Sequence, residues 1–192
     1  PAGLAAADPI PFDWAGEAAR AIGVAYHRWM QQIAREGLEQ WSPERVAALG
    51  AELDEMLSVE GVPAARCEAA RQRVQQALAA TLQDSRGRWL LQAHAQARSE
   101  WELTTLVDGQ PRRLKLDRSF IDETGQRWVV DFKTSVHEGG NVEAFLEAEL
   151  ERYSGQLEGY RSALRGLEGG GARLALYLPL LADAAHRWIE LP

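Results

Sequence analysis

The stretch LKLDRSFIDETGQRWVVDFKTS, residues 114–135, constrains this chain more than any other. It reads as two strands, about 112–121 and 126–133, joined by a tight turn. Glu123-Thr124-Gly125 suits a three-residue hairpin loop with Gly at the left-handed position. That loop sets a register in which Asp122 faces Gln126, and continuing the pairing brings Asp117 opposite Asp131. Directly opposed residues have Cβ atoms about 4.5–5.5 Å apart, and like charges there are destabilising. Asp131 and Lys133 are two apart on one strand, so they leave the same face while Phe132 leaves the other. An Asp-x-Lys pair alone is also what a solvated strand face looks like. Two opposed carboxylates beside a lysine, however, call for a bound cation or a shared proton, and a cation implies cleavage chemistry at a phosphate. The Trp128-Val129-Val130 run before Asp131 has the character of a buried strand. Its charges would then sit at a sheet end, where sites tend to lie.

The rest of the chain divides by pattern. Residues 1–97 are rich in Ala, Gln and Arg at helical spacing, and residues 98–192 alternate as strands with one long helix inserted. Ala18, Ile22, Ala25, Trp29 and Ile33 give one apolar face to a first helix over about 14–35. Ser42-Pro43-Glu44 starts a second, expected to run to about Ser58. Gly61-Val62-Pro63 precedes a third over 64–82, and a fourth follows Asp84. A first strand is expected over 99–107, with Asp108-Gly109 as its turn. A helix over 142–165, a strand over 173–178 and a short strand over 186–191 complete the chain. The fold class is therefore α/β: a mixed central sheet flanked by helices, with an N-terminal helical part (1–97) and a core (98–192) in one compact domain.

Composition excludes several classes. With 192 residues the chain can bury a real core. No apolar run approaches the roughly 18 residues that span a membrane. The opening PAGLAAADPIPFDW lacks a charged n-region and an apolar core, so it does not read as a signal peptide. The missing initiator Met makes the chain look like a piece of something longer. Cys67 is the only cysteine, which excludes an internal disulfide or a four-cysteine cluster and fits a reducing cytosol. The net charge of −7 argues against a simple electrostatic nucleic-acid binder. A local basic strip of Arg112, Arg113, Lys115, Arg118 and Arg127 could still carry DNA, although these are equally the residues of a solvated strand face.

Three segments together resemble the RecB/AddA-type nuclease domains of the PD-(D/E)xK superfamily. Gly23-Val24-Ala25-Tyr26-His27-Arg28 on the first helix is similar to that family's "G-t-x-x-H-r" helix. LDRSFID followed by WVVDFKTS resembles its "iDr … vvDyKT" core, with Phe132 in place of the commoner Tyr. Tyr153-Ser-Gly-Gln156-Leu-Glu-Gly-Tyr160 resembles its "Y-x-x-Q-x-x-x-Y" helix. The segments occur in the family's order and cover about residues 14–178. The resemblance implies a restriction-endonuclease-like core, and specifically the C-terminal exonuclease domain of a UvrD/RecB-like DNA helicase. That protein would act in bacterial double-strand-break repair and recombination, in the cytoplasm at the nucleoid. Rival readings are a free-standing nuclease and a non-catalytic DNA-binding or scaffold module on the same fold.

The resemblance also implies a site. Asp117 and Asp131 become metal ligands for one or two Mg²⁺ or Mn²⁺ ions, with His27 and the backbone carbonyl of Phe132 completing the set. Gly23 is expected to let the sheet approach the helix. Lys133 would orient the attacking water, neutralise the developing phosphorane charge or act as the base; the sequence leaves the three open. Glu100 stands where the family carries a Glu, with the expected task of holding Lys133 or a metal-bound water. Gln156 and Tyr160, four apart on one helix face, and Arg118 are expected substrate contacts, with Gln156 reaching either a substrate phosphate or the catalytic cluster. Leu146, Leu150, Tyr153, Leu157, Tyr160 and Leu164 form a core stripe, so both tyrosines are also partly structural. The implied partners are DNA, mainly single-stranded, linked helicase domains of the same polypeptide and a second helicase–nuclease subunit, with no membrane. His94, His137, His186 and Cys67 are assigned no role.

Overall fold

The computed structural model describes residues 14–107, 110–137 and 139–192. The expected Asp108-Gly109 turn and the leading segment 1–13 lie outside the described residues. Helix α1 spans Trp14–Glu36, and its buried Ala21, Ile22, Ala25, Tyr26, Met30 and Ile33 repeat at the expected three- and four-residue steps. The single helix expected from Ser42 to Ser58 is instead two, α2 (Pro43–Ala47) and α3 (Gly50–Val59). Its start is as expected: the Ser42 hydroxyl caps the Arg45 N–H, with Pro43 at the first position. The break falls beside Gly50, a residue that costs about 1 kcal/mol in a helix interior. Helix α4 (Ala64–Gln83) and the short α5 (Ser85–Leu91) follow. Asp84 joins them, capping the Arg86 and Gly87 N–H groups and accepting the Tyr177 hydroxyl at 2.8 Å. Gly87 is required there, because a Cβ would lie 2.3 Å from the Thr81 carbonyl oxygen.

Five strands form one mixed sheet: β1 (Ala95–Val107), β2 (Gln110–Ile121), β3 (Arg127–Phe132), β4 (Ala172–Tyr177) and β5 (Trp188–Leu191), in that spatial order. The β2–β3 hairpin has the expected register, with Arg118 opposite Val130 and Ile121 opposite Arg127. Its turn is closed by the Asp122 carboxylate, which accepts the Thr124 and Gln126 N–H groups, and Gly125 takes a φ of +84°. Helix α6 (Val142–Glu168), capped by Asn141, crosses over so that β4 pairs parallel to β3.

The sheet carries two cores. On one face α1–α5 pack against Phe120, Trp128, Val130, Phe132, Ala175 and Tyr177. On the other, α6 packs Leu157, Tyr160 and Leu164 against Leu116, Val129, Leu174 and Leu176. Strict alternation would put Leu116 and Arg118 on one face. They lie on opposite sides, Leu116 toward α6 and Arg118 toward α5. Next to this reversal, Glu100 on β1 adopts a left-handed φ of +52°, a costly conformation for a non-glycine residue. The sheet is thus locally irregular where Glu100 and Asp117 meet.

Candidate active site

The irregularity lets side chains from three elements converge. His27 on α1 places Nδ1 3.4 Å from Asp117 Oδ1 and 3.6 Å from a Glu100 carboxylate oxygen. One ligand atom from each of His27, Glu100 and Asp117 falls within 4.8 Å of the others. His27 Nε2 lies 3.0 Å from the Phe132 carbonyl oxygen. A proton on Nε2 donates to that carbonyl and leaves Nδ1 facing the two carboxylates, as the nitrogen free to exchange its own proton for a cation. This is the arrangement that orients metal-binding histidines generally. The Phe132 carbonyl thus orients the imidazole.

Asp117 is nearly buried. Its Oδ2 accepts the Phe132 N–H at 2.7 Å, which locks the carboxylate to the neighbouring strand and leaves Oδ1 facing His27. Asp131 is 1% exposed and has other company. Lys133 Nζ forms an ion pair with its Oδ2 at 2.7 Å. The Gln156 amide donates to its Oδ1 at 3.2 Å, and the Tyr160 hydroxyl lies 3.5 Å away. The paired residues of the hairpin run from Ile121–Arg127 to Arg118–Val130, one step short of the two aspartates, and the three-residue cluster draws in Glu100 rather than Asp131. Glu100 also pairs with Lys115, and so does not hold Lys133 as expected. Lys133 sits on Asp131, with its Nζ 3.7 Å from the centre of the Tyr153 ring.

The charge states follow from this crowding. Burial alone would lower the His27 pKa, but hydrogen bonds and charge from Asp117 and Glu100 outweigh it and lift it to about 10. Burial would raise Glu100, yet His27 and Lys115 hold it below the usual range. Asp131 is raised, first by burial and then by the charge of Asp117, against the pull of Lys133 and His27. Without another cation the site thus borrows protons and lysines to neutralise itself. Carboxylate oxygens with a single imidazole nitrogen, drawn together and short of positive charge, fit a hard divalent cation, with His27, Glu100 and Asp117 as the residues that would hold it.

An open cavity of about 810 Å³ lies against the cluster, lined by His27, Glu100, Lys115 and Lys133 among others, with Arg20 and Arg28 contributed by α1. Asp117 and Asp131 are not part of the lining. Several expected contacts are also absent from it. Arg118 is buried, and its guanidinium is spent on the Leu90 and Gln92 carbonyls and the Ser99 hydroxyl, so it braces α5 and β1 rather than meeting a substrate. Arg127 is tied to Glu168 and Gln96, so the expected basic strip keeps Arg112, Arg113 and Lys115 only. Tyr160 is buried, donating to the Lys115 carbonyl at 2.9 Å, and is likewise a brace. Gln156 does not line the cavity; it donates to Asp131, the catalytic-cluster contact that was one of its two expected roles. A Cβ on Gly23 would sit 3.7 Å from Thr134 Oγ1, an ordinary contact, so close approach does not demand that glycine.

The sequence reading missed one participant and undervalued two. Lys115, read only as part of the basic strip, pairs with Glu100. Glu149 is 3% exposed on α6 and accepts the Ser135 hydroxyl at 2.7 Å, tying the segment after Lys133 to the helix; nothing in its helical pattern marks it. Tyr153 was placed in the core stripe, which hid its face-on contact with Lys133.

Comparison with known proteins places this constellation. The profile of the PD-(D/E)XK nuclease superfamily matches residues 6–186. The chain belongs to that superfamily. The five-stranded mixed sheet flanked by helices is accordingly a restriction-endonuclease-like α/β fold. No curated protein matches the chain. Among solved structures, protein VC1899 from Vibrio cholerae is similar over 93% of this chain and 50% of its own, at 14% identity and a TM-score of 0.33. The chain therefore spans about half the length of that structure. Among the described residues no helix is long and apolar enough to cross a membrane.

Proposed function

We propose that this domain hydrolyses phosphodiester bonds of DNA with Mg²⁺ or Mn²⁺, as the exonuclease part of a helicase–nuclease in bacterial double-strand-break repair and recombination. The observation that carries the reading is the convergence of His27, Glu100 and Asp117 beside the Asp131–Lys133 pair at the wall of one open cavity. A divalent cation bound there would polarise a phosphate and acidify water. The protein's own residues do the rest. The Phe132 carbonyl fixes the His27 ring, the Phe132 N–H fixes Asp117, and Gln156 and Tyr160 hold Asp131. Lys133 presents a positive charge at the cavity wall, where a phosphorane would accumulate negative charge.

The finer assignment draws on the three motif segments in their family order. An acidic domain of net charge −7 suits a substrate held largely by other domains. Single-stranded DNA would be fed by linked helicase domains, with a second helicase–nuclease subunit as partner and the bacterial nucleoid as location. The test is incubation of the protein with linear and circular single-stranded DNA and Mg²⁺ or Mn²⁺, alongside Lys133→Ala and Asp131→Ala. Cleavage of the linear form by the wild type, lost in both variants and in EDTA, is the expected result. Cleavage that persists in both variants, or that survives EDTA, would overturn the site.

A further inference from the structure

We infer that Tyr153 is a positioning residue for Lys133, its ring face acting as a seat that holds the ammonium at the cavity wall. The inference deepens the nuclease reading and rests on it for the catalytic consequence. Lysine is a flexible four-carbon stem carrying a point charge, and its position must be imposed from outside. Here two contacts impose it. The Asp131 carboxylate lies 2.7 Å from Nζ, and the Tyr153 ring centre lies 3.7 Å from it. The first is a contact within one strand, and the second comes from α6. Lys133 lies just past the end of β3. Its backbone N–H donates to the Tyr177 carbonyl at 2.9 Å.

The helix spacing shows how α6 serves both charges. Tyr153, Gln156 and Tyr160 lie at steps of three and four, so they share one face. Tyr153 meets the lysine, Gln156 meets the aspartate, and Tyr160 meets the aspartate and the Lys115 carbonyl. Tyr153 packs at the edge of the α6-side core and also lines the cavity together with Lys133, so the ring bridges core and substrate side. Among the described residues no hydrogen bond from the Tyr153 hydroxyl accompanies this ring contact; the face, with its negative quadrupole, is the part that acts.

The experiment compares wild type, Tyr153→Phe and Tyr153→Leu. The first readout is metal-free. The Lys133 side-chain methylene protons should show upfield ring-current shifts by NMR in the wild type and in Tyr153→Phe, and lose them in Tyr153→Leu. The second is steady-state cleavage of single-stranded DNA. A misplaced catalytic group of this kind costs roughly tenfold to a hundredfold. Tyr153→Leu should show that loss in kcat with KM little changed, while Tyr153→Phe stays near wild type. A merely structural tyrosine would not give rescue by Phe together with a selective kcat loss. Unshifted Lys133 protons in the wild type, or a Tyr153→Leu enzyme with unchanged kcat, would overturn the inference. So would Tyr153→Phe behaving as Tyr153→Leu does. A wild type that cuts no DNA would count against the nuclease reading alone, and the NMR comparison would still decide whether the seat exists.

Discussion

Asp117 and Asp131 stand on the two strands of one hairpin, yet they live in different surroundings. Asp117 has one oxygen tied to the Phe132 N–H and the other turned to His27, next to Glu100. Asp131 is sealed under α6, paired with Lys133 and contacted by Gln156 and Tyr160. Two identical side chains on one hairpin are thereby divided between two jobs. One offers an oxygen to His27 beside Glu100, and the other anchors a lysine. Environment rather than residue type separates them, as it separates paired carboxylates in other hydrolases.

Activity is the coarsest way to probe this division, with the largest expected effect. Asp117→Ala and Asp131→Ala should each lower DNA cleavage by about a thousandfold or more, since residues that act as a unit fail together. A variant of either that retains a tenth of wild-type turnover would break the pairing. Stability should then separate the two. Asp131→Ala empties a buried site and strips the partner from the part-buried Lys133, and should cost about 3 kcal/mol in urea unfolding. Asp117→Ala leaves a buried N–H without an acceptor and should cost about 1–3 kcal/mol. Equal losses would mean that the two environments are energetically alike.

Cation affinity is the sharper probe. Mn²⁺ titration by calorimetry should be abolished by Asp117→Asn and weakened about tenfold by Glu100→Gln, while Asp131→Asn retains binding within a few-fold. Loss of Mn²⁺ binding in Asp131→Asn alone would exchange the two roles. The smallest effect is expected at Gln156→Leu, which removes one neutral hydrogen bond to Asp131. It should cost about 0.5–1.5 kcal/mol of stability and leave Mn²⁺ affinity unchanged.

Much of this was legible from local rules. The hairpin register followed from Gly125 and the short loop, and it holds for the pairs from Arg118–Val130 to Ile121–Arg127. Amphipathic spacing located α1, α4 and α6 to within a few residues. The break between α2 and α3 was not legible, because the apolar spacing runs on through Gly50. Nor was the early start of β1 at Ala95, where a register shift between Ala95 and Arg98 interrupts the alternation that marks a strand. Arg118 and Arg127 read as solvated strand residues because burial of a guanidinium depends on acceptors far along the chain, at Leu90 and Gln92 for one and Glu168 for the other.

By itself the sequence determined that two aspartates and a lysine share one hairpin, that a histidine rides on the first helix, and that helices flank a mixed sheet. These follow from turn chemistry and from the two periodicities, which act over a few residues. Only the tertiary structure decided which groups meet. Glu100 joins His27 and Asp117 through a left-handed residue and a local reversal of strand sidedness, and Lys133 is shared between Asp131 and Tyr153. The physical reason is that side-chain contacts between distant segments depend on how the layers pack and where the sheet breaks its own alternation, and no local pattern encodes either.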